Sequence, residues 1–259
     1  MEIQWNSSEE IRKKIQSGVI WWFWPIVMLL SRTILFFAFG FAIQLILAVF
    51  NIDSPNVEVT RWWTYQVIGA NVLCYLLLRW LAAKEGMRFR DLIGMEKRSS
   101  KKDVLLVVAL LIPSGIIGYA GVYLAGVWLY GDTPPAFMFQ ALPLWAALLS
   151  VIVFPLTNAL VETPTYLGYS FQRIAVISGN RWLALILVSS FLALQHIGIP
   201  MYLDPRYMLW RFLSFLPFAF FAGWIYLKIR RLLPLMVLHY FADLPLAIVT
   251  LVMTIQSVR

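Results

Sequence analysis

Residues 143–170 read PLWAALLSVIVFPLTNALVETPTYLGYS. From Pro143 to Val161 no side chain is charged, and then comes Glu162. A membrane-spanning helix needs about 20 predominantly apolar residues, so this stretch reads as a span with a carboxylate inside it. An acidic side chain near the bilayer centre costs on the order of 3 kcal/mol. Such a residue needs a reason to be there.

The rest of the chain agrees with that reading. Of 259 residues, 61% are hydrophobic and 13% charged, and the apolar residues come in long blocks, the composition of a membrane protein. Besides 143–170, blocks near 33–50, 64–83, 104–129, 182–199, 208–227 and 232–254 have spanning length. The expected fold is all-α: a polytopic transmembrane helical bundle of about seven spans, forming a single integral-membrane domain over 1–259. Ahead of the first block, GVIWWFWPIVMLLSR (18–32) clusters tryptophans beside Arg32. It suits an amphipathic, interfacial N-terminal segment over 1–32, or an oblique entry into the first span. It lacks the small-residue cleavage site of a signal peptide. The further clusters around Trp62 and Trp63 suit an interfacial belt.

The net charge of +8 raises the question of nucleic acid, but its distribution answers it differently. Alternate segments between the blocks hold fifteen Lys and Arg against three in the others, with seven of the fifteen in 84–103. By the positive-inside rule the N-terminus is cytoplasmic and the C-terminus outside, which makes 84–103 a cytoplasmic linker facing anionic lipid. The expectation is an integral plasma-membrane protein with the bilayer as a partner and no nucleic acid. Arg32, Arg79 and Arg211 fall inside or at the ends of spans and are expected to snorkel toward the interface. Cys74 is the single cysteine, which excludes an internal disulfide.

Of thirteen acidic residues only Glu162 and Asp243 lie deep in spans, and both histidines of the chain, His196 and His239, do so as well. Counting from expected span ends near 171, 182 and 232, the four lie roughly 10 to 21 Å into a core about 30 Å thick. That depth suits one shared polar site. His239 and Asp243 are spaced i, i+4 and share a helix face, as do Asn158 and Glu162, and Glu162 and Tyr166. Pro164 cannot donate to the carbonyl of Leu160 and disturbs that turn, a bend tolerated where it lines protein or a water-filled cavity. Ser150, Ser170, Ser189 and Ser190 are span hydroxyls of the kind that bond backbone carbonyls, and no Ser–Lys pair stands out. A carboxyl group in a low-dielectric site is a competent general base toward water, an imidazole can position that water, and a second imidazole with a polar partner can steady an oxyanion. This is a set suited to hydrolysing a peptide bond.

At these residues the chain resembles the CAAX protease and bacteriocin-processing (Abi) family of intramembrane endopeptidases. The resemblance covers roughly residues 60–254. The family's motifs are Glu-Glu-x-x-x-Arg, commonly followed by Gly; an aromatic four residues before a His; and His-x-x-x-Asn or Asp. Glu162 with Gly168, His196, and His239 with Asp243 occupy these positions in order. The resemblance implies that Glu162 and His196 hold and activate the attacking water, while His239 and Asp243 stabilise the oxyanion; Asn158, Thr163 and Tyr166 are expected to support them. The first motif diverges: Thr163 replaces its second Glu and Leu167 its Arg. In the second motif Phe191 lies five residues before His196 and Leu192 holds the usual aromatic place. Losing an acid and a base together leaves no lone buried charge.

The implied activity is cleavage of a membrane-associated peptide or protein substrate. No cofactor is expected, although Glu162, His196 and His239 are the residues that would hold a zinc ion if one binds; there is no His-Glu-x-x-His helix. Two other classes share the same residues: a catalytically inactive scaffold or immunity factor, which the changed motif keeps open, and a proton-coupled transporter, against which the lack of an internal repeat counts. Oligomeric state is not legible in the sequence.

Overall fold

The computed structural model describes residues 7–94, 101–131 and 134–258, and all regular structure among them is helical. Helix α1 (Ser8–Gln16) is short; α2 (Phe23–Val49) follows; α3 (Pro55–Glu58) and a 3-10 turn lead into α4 (Trp63–Lys84); α5 (Phe89–Ile93) precedes α6 (Lys101–Tyr130). Then come α7 (Leu144–Thr163), a π-helical segment (Pro164–Phe171), α8 (Gln172–Ser178), α9 (Arg181–Leu194) with a closing 3-10 turn (Gln195–Gly198), α10 (Pro205–Ile229) and α11 (Leu233–Val258). Seven of these helical stretches are long and apolar enough to cross a membrane. The protein is an integral membrane protein built as a helical bundle.

Apolar side chains surround most of these helices, so burial is set by which face finds another helix. Helix α11 lies along α7, α10 packs against both α6 and α9, and α4 sits between α2 and α7. On α6 the residues Leu105, Val108, Ile112 and Ile116 face outward, the arrangement expected of a peripheral span against lipid. Close approach depends on small residues where helices cross. A Cβ on Gly223 of α10 would run into Leu185 of α9, and one on Gly121 of α6 into the backbone at Ser214 of α10.

The sequence reading needs correction in three places. The first span begins at Phe23 rather than near 33, so residues 23–32 are its first turns and the tryptophan cluster marks its entry, the second of the two expectations for 18–32. The fourth span does not end at 170 but continues through the π-helical segment to Ser178. Arg173, expected in a loop, is therefore a fully buried helix residue, paired with the buried Glu85 at the end of α4. The third correction concerns the arginines. Arg79 is exposed, but Arg32 and Arg211 are buried: Arg211 donates to the carbonyl of Ile199 at 3.0 Å and lies against Phe137 and Phe215. Neither has room to snorkel, because each is enclosed by neighbouring helices. Residues 95–100 of the basic linker and Arg259 lie outside the described residues.

Candidate active site

The site forms where α7 gives way to the π-helical segment. Pro164 has no N–H to offer the α-helical ladder, and its ring crowds the preceding turn; from this residue to Phe171 the backbone takes the wider π register. Such insertions are frequent at functional sites. Every residue from Val161 to Phe171 is buried, so the irregular turn is enclosed by protein, as the absence of water in a bilayer requires.

Glu162 is 2% exposed. Its Oε2 accepts from Arg32 Nη2 at 3.0 Å, and its Oε1 lies 3.5 Å from His239 Nε2. The same imidazole nitrogen stands 3.4 Å from Asp243 Oδ2, and on the far side of the ring Nδ1 meets the hydroxyl of Thr163 at 2.9 Å. Asn158 joins the two ends: its Nδ2 donates to Asp243 Oδ2 at 2.7 Å, while its Oδ1 accepts from Arg32 Nη2 at 2.6 Å. Glu162, Thr163, Asn158, His239 and Asp243 thus form one network between α7 and α11.

His196 lies beside this network in the 3-10 turn that ends α9. Its Nδ1 faces only backbone carbonyls, those of Leu192 at 3.1 Å and Ala193 at 3.3 Å. A nitrogen facing acceptors carries a proton, so in the neutral ring Nε2 is the acceptor. The ring stacks on Phe215 of α10, with centroids 3.6 Å apart and planes within 11°. It is within electrostatic reach of Glu162, but of the two imidazoles it is His239 that stands at ion-pair distance. Tyr166 departs from expectation. Its hydroxyl donates to the carbonyl of Leu29 on α2 at 3.3 Å, so it fastens α2 to the π-helical segment rather than joining the carboxylates.

Arg32 is the residue the sequence reading missed. It is 0% exposed, and its guanidinium reaches three parts of the fold: Asn71 on α4, Asn158 and Glu162 on α7, and Gln195 Oε1, which accepts from Nε at 2.6 Å. Asn71 is held in turn by Thr157 Oγ1 at 3.2 Å. The signal in the sequence was a set of amides, Asn71, Asn158 and Gln195, placed in three apolar spans, each needing a partner there. Leu167, where the resembling motifs have arginine, is packed in an apolar cluster with Leu29, Ile93 and Leu235. The guanidinium at the carboxylate comes from α2 instead, and the ring beside His196 comes from α10. Gly168 is explained by packing, since a Cβ there would lie 2.7 Å from Leu232 Cδ1.

Residues 143–245 match the family model described as Type II CAAX prenyl endopeptidase Rce1-like. Over this segment the chain is similar to the CAAX protease and bacteriocin-processing family. The match runs from the start of α7 to Pro245, so it includes Glu162, His196, His239 and Asp243 but neither Arg32 nor Asn71. It supports a CAAX-type intramembrane protease activity in general. No curated protein and no solved structure matches the chain.

The fit to a metal ion is poor. Among the described residues no three His, Cys, Asp or Glu side chains are arranged to hold one, His196 spends Nδ1 on carbonyls, and Arg32 already brings a positive charge to Glu162.

Proposed function

We propose that this protein is an intramembrane endopeptidase that cuts a membrane-associated peptide or protein with a water molecule activated by Glu162. One observation carries the proposal: a buried carboxylate fixed on one oxygen by Arg32 presents the other toward His239, 3.5 Å away. Fixing Oε2 leaves Oε1 as the proton acceptor. In this reading water donates one hydrogen to Oε1 and the other to His196 Nε2, the ring nitrogen left as an acceptor, and its oxygen attacks the scissile carbonyl carbon. Glu162 takes the proton as the new C–O bond forms and later delivers it to the leaving amine nitrogen as the C–N bond breaks. His239, oriented by Thr163 and Asp243, faces the developing oxyanion.

No step requires a metal in this scheme, which the donor geometry described above supports. The changed first motif does not remove a participant, because Thr163 still orients His239 and Arg32 supplies the cation. The substrate class we favour is a short hydrophobic peptide, such as a signal-peptide remnant, peptide pheromone or bacteriocin leader, reached within the plasma membrane by a protein whose N-terminus is cytoplasmic. The test compares membrane peptides in cells with the wild-type chain and with Glu162→Gln. A peptidase predicts that specific precursors accumulate in the variant although it inserts at normal levels; identical peptide profiles would favour the scaffold reading.

A further inference from the structure

At the end of the bundle where α1, the α8–α9 turn and the α10–α11 turn meet, a cavity of about 400 Å³ is lined by Ser8 and Arg12 of α1, by Gln172 of α8, by Asn180 and Arg181 at the start of α9, and by Arg230. Three arginines from three separate segments line it, Arg181 with its guanidinium 5.6 Å from the centroid of the Trp182 ring, and among the described residues no acidic one is in the lining. The carboxylates of α1 do not neutralise them, because Glu9 pairs with Lys13 at 3.0 Å and Glu10 with Lys14 at 3.7 Å.

Arg230 is held in place rather than loose. Its Nη1 donates to Gln172 Oε1 at 3.3 Å, and Gln172 is itself turned by donating from Nε2 to Tyr226 OH at 2.7 Å. The first amides of α9 are already capped by Asn180 Oδ1, at 2.9 Å to Trp182 and 3.1 Å to Leu183. An anion here would therefore be held by the arginines, not by the helix end. The site also lies where spans terminate, between Ser178 and Arg181 and after Ile229, and Trp182 beside it is 51% exposed. That is the level of lipid headgroups, where tryptophan and arginine both gather.

We propose that this cavity is a binding site for a phosphate-bearing anion, which bridges Arg12 on α1 to Arg181 and Arg230 and so clasps the N-terminal helix to the bundle. Like charges facing one cavity repel when it is empty, and a phosphate oxygen array accepts several guanidinium donors at once. An anionic phospholipid headgroup and free phosphate offer the same chemistry.

The experiment uses the full chain in two forms: delipidated in detergent and titrated with inorganic phosphate, and in nanodiscs of phosphatidylcholine with or without phosphatidylglycerol. Retained lipid is read by native mass spectrometry, and docking of α1 by hydrogen exchange over residues 8–17. Slowed exchange with phosphatidylglycerol but not with phosphate identifies the lipid headgroup; slowed exchange with both shows that phosphate itself suffices. Arg12→Gln, Arg181→Gln and Arg230→Gln combined should weaken binding by about tenfold or more. A control triple in which Lys13, Lys84 and Lys228 become Gln, equal in charge but outside the cavity, should keep it. Equal loss in both triples, or slowed exchange in neither medium, overturns the proposal.

Discussion

Arg32 Nη2 lies 3.0 Å from Glu162 Oε2, joining two spans that are 130 residues apart in the chain and leaving neither group exposed to solvent. A buried pair of this kind contributes little net stability when intact, but removing one partner strands the other. Arg32→Met should lower stability by about 3–5 kcal/mol, read as the loss of unfolding midpoint in a mild detergent. Because the same guanidinium also serves Asn71, Asn158 and Gln195, Arg32→Met combined with Glu162→Gln should recover only part of that loss. Arg32→Lys, which keeps the charge without the fork, should fall between them. Additive single and double variants would mean that the two residues do not interact.

Glu162→Gln keeps the shape of the side chain and removes its basicity. Peptide cleavage by the purified protein should fall on the order of a hundredfold or more, the usual contribution of a general base, with the KM for the peptide little changed. A variant that retains cleavage would assign the water to another group.

The third-motif pair makes a graded prediction. Asp243 Oδ2 accepts from Asn158 at 2.7 Å and stands 3.4 Å from His239; an asparagine keeps an oxygen in that place, whereas a leucine leaves Asn158 without its acceptor. Asp243→Asn should retain activity within about tenfold, while Asp243→Leu and His239→Ala should lose on the order of a hundredfold in kcat. Equal activity in Asp243→Leu would remove Asp243 from the site.

Much of this arrangement was legible in the sequence, and the parts that were not share one physical cause. Blocks of spanning length announce helices because the bilayer admits few alternatives, and deeply placed carboxylates and imidazoles stand out because their burial is costly. Asn158 and Thr163 followed from their place on or next to the turn of Glu162. Arg32, Phe215 and the redirected Tyr166 did not, since their positions depend on which faces of α2, α10 and the π-helical segment meet, and near-uniformly apolar helices carry little periodic pattern to reveal those faces. Arg32 looked like an interfacial residue only because the first span was expected to begin after it. The end of the fourth span, expected near 170, was missed for a related reason: the bend read at Pro164 gave no sign that the helix absorbs it by widening to the π register and continues to Ser178.

Zinc gives a direct measurement. With one oxygen of Glu162 bonded to a guanidinium and His196 Nδ1 turned to carbonyls, purified and active protein should carry well below one zinc per chain by elemental analysis. Cleavage should survive dialysis against a chelator. Stoichiometric zinc, with activity lost on chelation and restored by adding the metal back, would replace the proposed mechanism.

The second buried ion pair separates stability from chemistry. Arg173 donates to both oxygens of Glu85, to the carbonyl of Tyr169 at 3.1 Å, and stacks 3.8 Å from the Tyr169 ring, tying α8 to the end of α4. Neither residue belongs to the Glu162 network. Glu85→Leu leaves the guanidinium without its carboxylate and should cost about 3–5 kcal/mol; Arg173→Leu should cost a similar amount. The double variant, Glu85→Leu with Arg173→Leu, removes both charges and fills the space with apolar atoms, so its unfolding midpoint should return toward that of the unsubstituted protein. At a temperature where all three variants remain folded, cleavage rates should match the parent within about threefold, given that distant sites without shared partners act independently. A double variant that is folded but inactive would show that this clasp positions the π-helical segment for catalysis rather than merely holding it.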